Sequence, residues 1–129
     1  MGLLLKKQGK LIEAEPLLRR ALEGNERTLG PDHSATLSSV NNLGSLLKKL
    51  NKLDEAATML LRSSEGQSRI LGADHPNALN ARGNLGLLLM KRGDESGEGM
   101  VRDVLSSLLS PPRSLTDTHP WIKKFRQAL

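Results

Sequence analysis

A fixed period constrains this chain more than any other feature of it. The stretch over residues 29–69 returns 42 positions later, with Leu29-Gly30 as Leu71-Gly72, Asp32-His33 as Asp74-His75 and Asn42-Leu43-Gly44 as Asn84-Leu85-Gly86. In the other direction, Lys52-Leu53 and Glu55-Ala56 answer to Lys10-Leu11 and Glu13-Ala14. Units of this length cannot bury their apolar faces alone, so they stack on one another and form solenoids or arrays.

Within each unit the apolar residues fall at helical spacing. Residues 11–29 carry Leu11, Ala14, Leu17, Leu18, Ala21 and Leu22, three and four apart, which is one stripe on one face. Pro16 lies near the start, where a missing N–H costs least. Before it, Gln8-Gly9-Lys10 reads as a turn, and residues 1–7 as the second half of a helix whose first half is missing. Gly30-Pro31 ends the helix over 11–29, and Asp32 or Ser34 is expected to cap the next one. That helix is predicted over 35–50, with Leu37, Val40, Leu43, Leu46, Leu47 and Leu50 inward. Its partner is predicted over 53–71, with Ala56, Met59, Leu60 and Ile70 apolar. Gly44 recurs as Gly2 and Gly86. Because an interior glycine costs a helix about 1 kcal/mol, its recurrence points to close approach of paired helices.

The loop Gly72-Ala73-Asp74-His75-Pro76 then introduces a helix over 77–92. Its partner over 95–109 contains Ser96, Gly97 and Gly99, which predicts a frayed start and firm helix only from about Met100. Ser110-Pro111-Pro112 ends it, and a loop over 113–118 leads to His119-Pro120. A short terminal helix follows, with Trp121, Ile122 and Phe125 as its apolar side. The predicted organisation is a repeat array over 1–110, divided into a partial repeat 1–30, a repeat 31–72 and a degenerate repeat 73–110. A Pro-containing loop and capping helix occupy 111–129.

Composition narrows the function classes. The chain has no Cys, which excludes a disulfide scaffold and a Cys-ligated metal site and goes with an expected cytoplasmic location. The net charge is +5 and the pI about 9.9, chiefly a solvated surface with excess Lys and Arg. No apolar run approaches the ~20 residues of a membrane span. The run in MGLLLKK is too short for a signal-peptide core, and Lys6 stands where a myristoylation site needs Ser or Thr. No nucleophile–base spacing, phosphate loop or metal cluster is present, so neither an enzyme nor a cofactor is expected. His33, His75 and His119 occupy the same loop of successive units and read as structural punctuation.

Helix–turn–helix units with a small residue after Leu in the first helix and Ala early in the second resemble tetratricopeptide repeats. The 42-residue period, with GKLIEAEPLLRRAL, LGPDHS, LGADHP and NNLG, is similar to the kinesin light chain type, whose units exceed the usual 34 residues by about two helical turns. The resemblance implies an all-α fold, with helix pairs stacked in a right-handed superhelical solenoid. It also implies a concave groove, lined by the first helices, that binds extended peptide segments of partner proteins. The heptad coiled coil of kinesin light chains does not occur in this sequence.

On that reading the groove residues are Ser38, Asn41, Asn42, Ser45, Lys48 and Lys49 from one repeat and Asn80, Asn84, Leu87 and Lys91 from the next. Gly83 and Met90 are presented on the same side, and the first unit adds Leu3, Lys6 and Lys7. Asn42 and Asn84 carry most weight, since an amide pairs with a peptide backbone whatever its sequence. The alternative is that they tie neighbouring helices together. The lysines complement helix C-terminal dipoles, or form a rim that selects acidic peptides. The deeper groove positions hold Ser38, Asn42, Asn80 and Asn84, so a clamp for a C-terminal carboxylate is not expected. The function expected is a protein-interaction module or scaffold that binds a peptide segment. The alternatives are a basic adaptor for RNA or anionic surfaces, carried by Lys123, Lys124 and Arg126 near Trp121 and Phe125, or a structural piece of a larger assembly. Protein is expected over nucleic acid as the partner.

Overall fold

The computed structural model describes the backbone of residues 2–110, 116 and 118–129, and side chains from Gly9 onward. Among the described residues there are six helices: α1 (Gly2–Leu29), α2 (Ser34–Lys49), α3 (Leu53–Leu71), α4 (Pro76–Lys91), α5 (Ser96–Leu109) and α6 (Pro120–Gln127). No strand occurs among the described residues. Helices α2–α3 and α4–α5 form tight hairpins, α1 packs on α2, α3 on α4, and α6 on both α5 and α4. The architecture is a helical-repeat solenoid. Three of the positions expected to close the array, Trp121, Ile122 and Phe125, do lie on the packed side of α6, with Ile122 and Phe125 fully buried.

Backbone geometry repeats with the sequence. Gly30 and Gly72, after α1 and α3, have φ of +93° and +95°, and Asn51 and Gly93, inside the two hairpin turns, have φ of +64° and +83°. These left-handed values suit glycine, and asparagine tolerates them. The caps differ from expectation. His33, His75 and His119 each precede a first helix, and their Nδ1 atoms accept from the backbone N–H of Ala35, Asn77 and Trp121 at 3.0–3.1 Å. The cap acceptor must stand directly before the helix and reach the second helical amide. Asp32 and Asp74 lie one position too early, and Ser34 already lies inside α2. The histidines are thus structural, each with its Nδ1 held as an acceptor.

Two apolar clusters form the core. One joins Leu22, Val40, Leu43, Leu47, Ala56, Leu60 and Leu88, and the other joins Leu79, Val101, Val104, Leu105, Leu108, Ile122 and Phe125. Fully burying one such leucine contributes about 1.5–3 kcal/mol. The glycines of the first helices make room for this packing. A Cβ on Gly44 would meet Leu60 Cδ2 at 2.8 Å, and one on Gly86 would meet the Gly97 carbonyl oxygen and Val101 Cγ2 at 3.0 Å. Gly97 does not fray the last hairpin as expected. Helix α5 begins at Ser96, with Asp94 accepting from the Ser96 N–H and hydroxyl at 3.0 and 2.7 Å. These bonds hold the Asp94 carboxyl below its ordinary range.

Helix α1 departs most from the expected pattern. It runs unbroken through Gln8-Gly9-Lys10, although Gly9 is the repeat counterpart of Asn51 and Gly93. In α2–α3 and α4–α5 the corresponding turn is held by packing of the first helix on the second. The stripe expected along α1 is also divided. Leu22 is buried and Leu18 packs on the first cluster, but Leu17 is 61% exposed and Ala21 lies open. The α3 counterparts of Ala14, Leu18, Ala21 and Gly24, namely Ala56, Leu60, Ser63 and Gly66, are all buried, with Gly66 against Leu37. Among the described residues no helix lies on that face of α1, and nothing lies within 4 Å of a Cβ on Gly24. Ile70, expected on the apolar side of α3, is likewise exposed at the helix end. The loop expected over 113–118, and the proline stop before it, lie mostly outside the described residues.

Candidate functional site

A pocket of about 230 Å³ opens between α2, α4 and α6, lined by Ser38, Asn41, Asn42, Gln67, Asn77, Asn80 and Trp121. Five of these seven side chains are amides. Each amide carries donors and acceptors together, which suits a ligand with alternating N–H and C=O groups. Gln67 reaches in from α3 and is fixed there. Its Nε2 donates to the Ser34 carbonyl at 3.4 Å and Ser38 Oγ at 3.3 Å, and its Oε1 accepts from the Ser34 hydroxyl at 3.4 Å. Asn42 and Asn77 make no side-chain hydrogen bond among the described residues. Trp121 forms the wall on the α6 side and meets His119 edge-on, with ring centroids 5.3 Å apart and planes at 67°.

Asn84 is not part of this wall. It is 4% exposed, and its Nδ2 donates to Oδ1 of Asn41 at 3.1 Å, a buried bond that ties α4 to α2. Its expected place in the groove is therefore corrected to a link between helices. Asn84 is covered because α2 packs beside α4 at this position, while Asn42, its counterpart 42 residues earlier, is exposed at the pocket. Leu87 and Met90 pack on the second core cluster, and Gly83 lies beneath the Phe125 ring, where a Cβ would overlap the ring atoms. Ser45 is half-buried on α2. Ser38, Asn41, Asn42 and Asn80 are brought together as expected positions of one pocket. The side chains of Leu3, Lys6 and Lys7 lie outside the described residues.

Lysines gather on the same face. Lys91 Nζ donates to the Lys48 carbonyl at 3.0 Å, and Lys124 Nζ donates to Oδ1 of Asn80 at 2.8 Å and lies 4.5 Å from the Phe125 ring centroid. Burial, with Lys91 and Lys49 nearby, lowers the Lys48 ammonium from its ordinary range. Burial, followed by the charges of Lys48 and Lys49, draws Lys124 down from 10.5 to about 8. Lys124 occupies in α6 the position that Ser38 and Asn80 hold in α2 and α4, so the deep part of the groove does contain a cation. Sequence reading missed this because the last unit is offset by 44 rather than 42 positions. It also missed Gln67, which comes from a second helix, together with Asn77 and the pocket role of Trp121.

Charge is sorted by helix. No Asp or Glu occurs in α2, α4 or α6, which carry Lys48, Lys49, Arg82, Lys91, Lys123, Lys124 and Arg126. The carboxylates lie on α1, α3, α5 and the connecting segments, where Arg19 pairs with Glu15 and Glu55, Lys52 with Glu15, Arg62 with Glu26, and Arg92 with Asp54. The Lys52 and Arg19 contacts hold the Glu15 carboxyl below its usual range. Lys48, Lys49, Lys91 and Lys124 make no ion pair among the described residues. No helix among the described residues is long and apolar enough to cross a membrane.

The family model described as tetratricopeptide repeat matches residues 1–68 and again 39–96. No curated protein matches the chain.

Proposed function

The chain belongs to the tetratricopeptide repeat family, a family of protein-interaction modules without enzymatic activity, and on that premise we propose that it binds an extended peptide segment of a partner protein between α2, α4 and α6. The amide-lined pocket is the observation that carries this reading. Asn42, Asn77 and Asn80 offer backbone-directed hydrogen bonds, and the lysines at its side favour a segment with acidic character. The 42-residue period supports the kinesin light chain type within the family, and the absence of Cys supports a cytoplasmic setting. The groove is short, which goes with a modest footprint or with help from a longer assembly.

A base-stacking RNA adaptor is less well supported. Sequence-tolerant binding of single strands uses open aromatic faces. Phe125 is fully buried, and Trp121 is half-buried against His119.

The test is an unbiased pull-down with mass spectrometry, comparing wild type with the N42A/N80A double variant at equal folded concentration. Proteins recovered by wild type and lost from the variant support the groove. Identical recoveries from both would place binding elsewhere on the surface.

A further inference from the structure

The lysines beside the pocket ask for more negative charge than one carboxylate supplies. They come from three helices: Lys48 and Lys49 end α2, Lys91 ends α4, and Lys124 lies in the middle of α6. Two are anchored, Lys91 on the Lys48 carbonyl at 3.0 Å and Lys124 on Asn80 at 2.8 Å, so they do not sweep freely through solvent. None has a carboxylate partner among the described residues, and the helices that present them contain no acidic residue at all. The chain keeps its Glu and Asp for the other side of the repeats, where arginines and Lys52 are paired. Lys48 and Lys124 are half-buried, while Lys49 and Lys91 are exposed. An unpaired charge at the half-buried positions is costly in the free protein, and a bound anion relieves that cost.

Resting on the groove reading above, we propose that Lys48, Lys49, Lys91 and Lys124 form a subsite for a dianionic phosphoryl group, carried as a phosphorylated serine or threonine of the bound segment. A phosphate monoester brings a charge of about −1.5 to −2 and three strong acceptor oxygens to one point. Ammonium groups from separate helices that feel one another's charge offer donors to different oxygens of such a group. Asn80 joins the two parts of the site. Its Oδ1 holds Lys124 while the same side chain lines the amide pocket, so a segment gripped by the amides presents its side chain to the lysines. The lowered proton affinity of Lys124 and Lys48 agrees with this arrangement, because a dianion raises it again on binding.

The experiment uses the full chain and amide-resolved NMR titration with four probes: N-acetyl-phosphoserine methylamide, N-acetyl-glutamyl-glutamate methylamide, N-acetyl-serine methylamide and a uridine octanucleotide. The phosphoserine probe is expected to shift resonances at Lys48, Asn80 and Lys124, and to bind about tenfold tighter than the glutamyl pair. K124Q should weaken it about tenfold, and K48Q/K49Q, at the end of α2, should weaken it as well. Circular dichroism and Trp121 emission check that each variant is folded. Equal binding of the phosphoserine and glutamyl probes overturns the phosphoryl assignment in favour of carboxylates. Tighter, lysine-dependent binding of the octanucleotide overturns it in favour of nucleic acid, and no shift with any probe removes the subsite. These small probes contain almost no segment to grip. Loss of N42A/N80A sensitivity in the pull-down therefore tells against the groove reading, and failure of the titration tells against the phosphate alone.

Discussion

Gly97 of α5 lies against Gly86 of α4 so closely that a Cβ on Gly97 would stand 2.5 Å from the Gly86 carbonyl oxygen and 2.7 Å from the Met90 amide nitrogen. Backbone meets backbone here, with no flexible side chain to give way. Gly99, two residues on, has nothing within 4 Å of the same position. Gly97→Ala is therefore expected to destabilise the protein by about 1–3 kcal/mol, despite the gain in helix propensity. Gly99→Ala should stabilise it by up to about 1 kcal/mol. Urea denaturation of the two variants checks the pair, and stabilisation by both would remove the close contact.

The Phe125 ring covers Gly83, and the chain's single tryptophan sits four residues before it on the same helix. Gly83→Ala should lift α6 from α4 while the hairpins α2–α3 and α4–α5 remain folded. The expected readout is a red shift of Trp121 emission with little loss of helical circular dichroism. Gly24→Ala, made where the space is open, should leave the emission unchanged.

Asn41 and Asn84 are partners across 43 residues. A double-mutant cycle with alanine at each should show a coupling of about 0.5–1.5 kcal/mol. If Asn84→Ala instead left stability intact and abolished partner recovery, Asn84 would return to the groove.

Lys124 sheds its proton near pH 8 in the folded protein, whereas in the unfolded chain it does so at its ordinary value of 10.5. Between these values the unfolded chain holds the extra proton, so the contribution of this group to stability rises with pH across that window. Thermal melts of wild type are expected to gain stability from pH 8 to 10 relative to Lys124→Met, which removes the titrating group. Lys48, lowered in the same direction, adds to the trend. No difference in slope between wild type and Lys124→Met would mean that Lys124 keeps its ordinary proton affinity in the folded protein.

The period and the helical stripes were legible in the sequence because they depend on spacing along one chain. Helix α3 occupies the expected 53–71, and α2 and α4 are displaced by a single residue. What depends on neighbouring helices was not legible. Gly97 read as a helix breaker, and only its meeting with Gly86 shows why a glycine is tolerated there. Asn42 and Asn84 looked equivalent, yet Asn84 is buried against Asn41 of the neighbouring helix while Asn42 is exposed. The stripe on α1 was real, but half of it has no helix to pack upon. Capping was assigned to Asp32 or Ser34 from residue preference, and position gave it to His33.

The sorting of charge by helix also bears on kinetics. An acidic segment diffusing toward this surface is attracted by α2, α4 and α6, which carry only basic charges, more than by α1, α3 and α5, where carboxylates offset the Lys and Arg. Encounters are thus biased toward one face before any contact forms. For the proposed peptide ligand, salt should slow association by screening that field, while the escape rate should change little. Two copies of the chain approaching each other through α2, α4 and α6 present like charge to like charge.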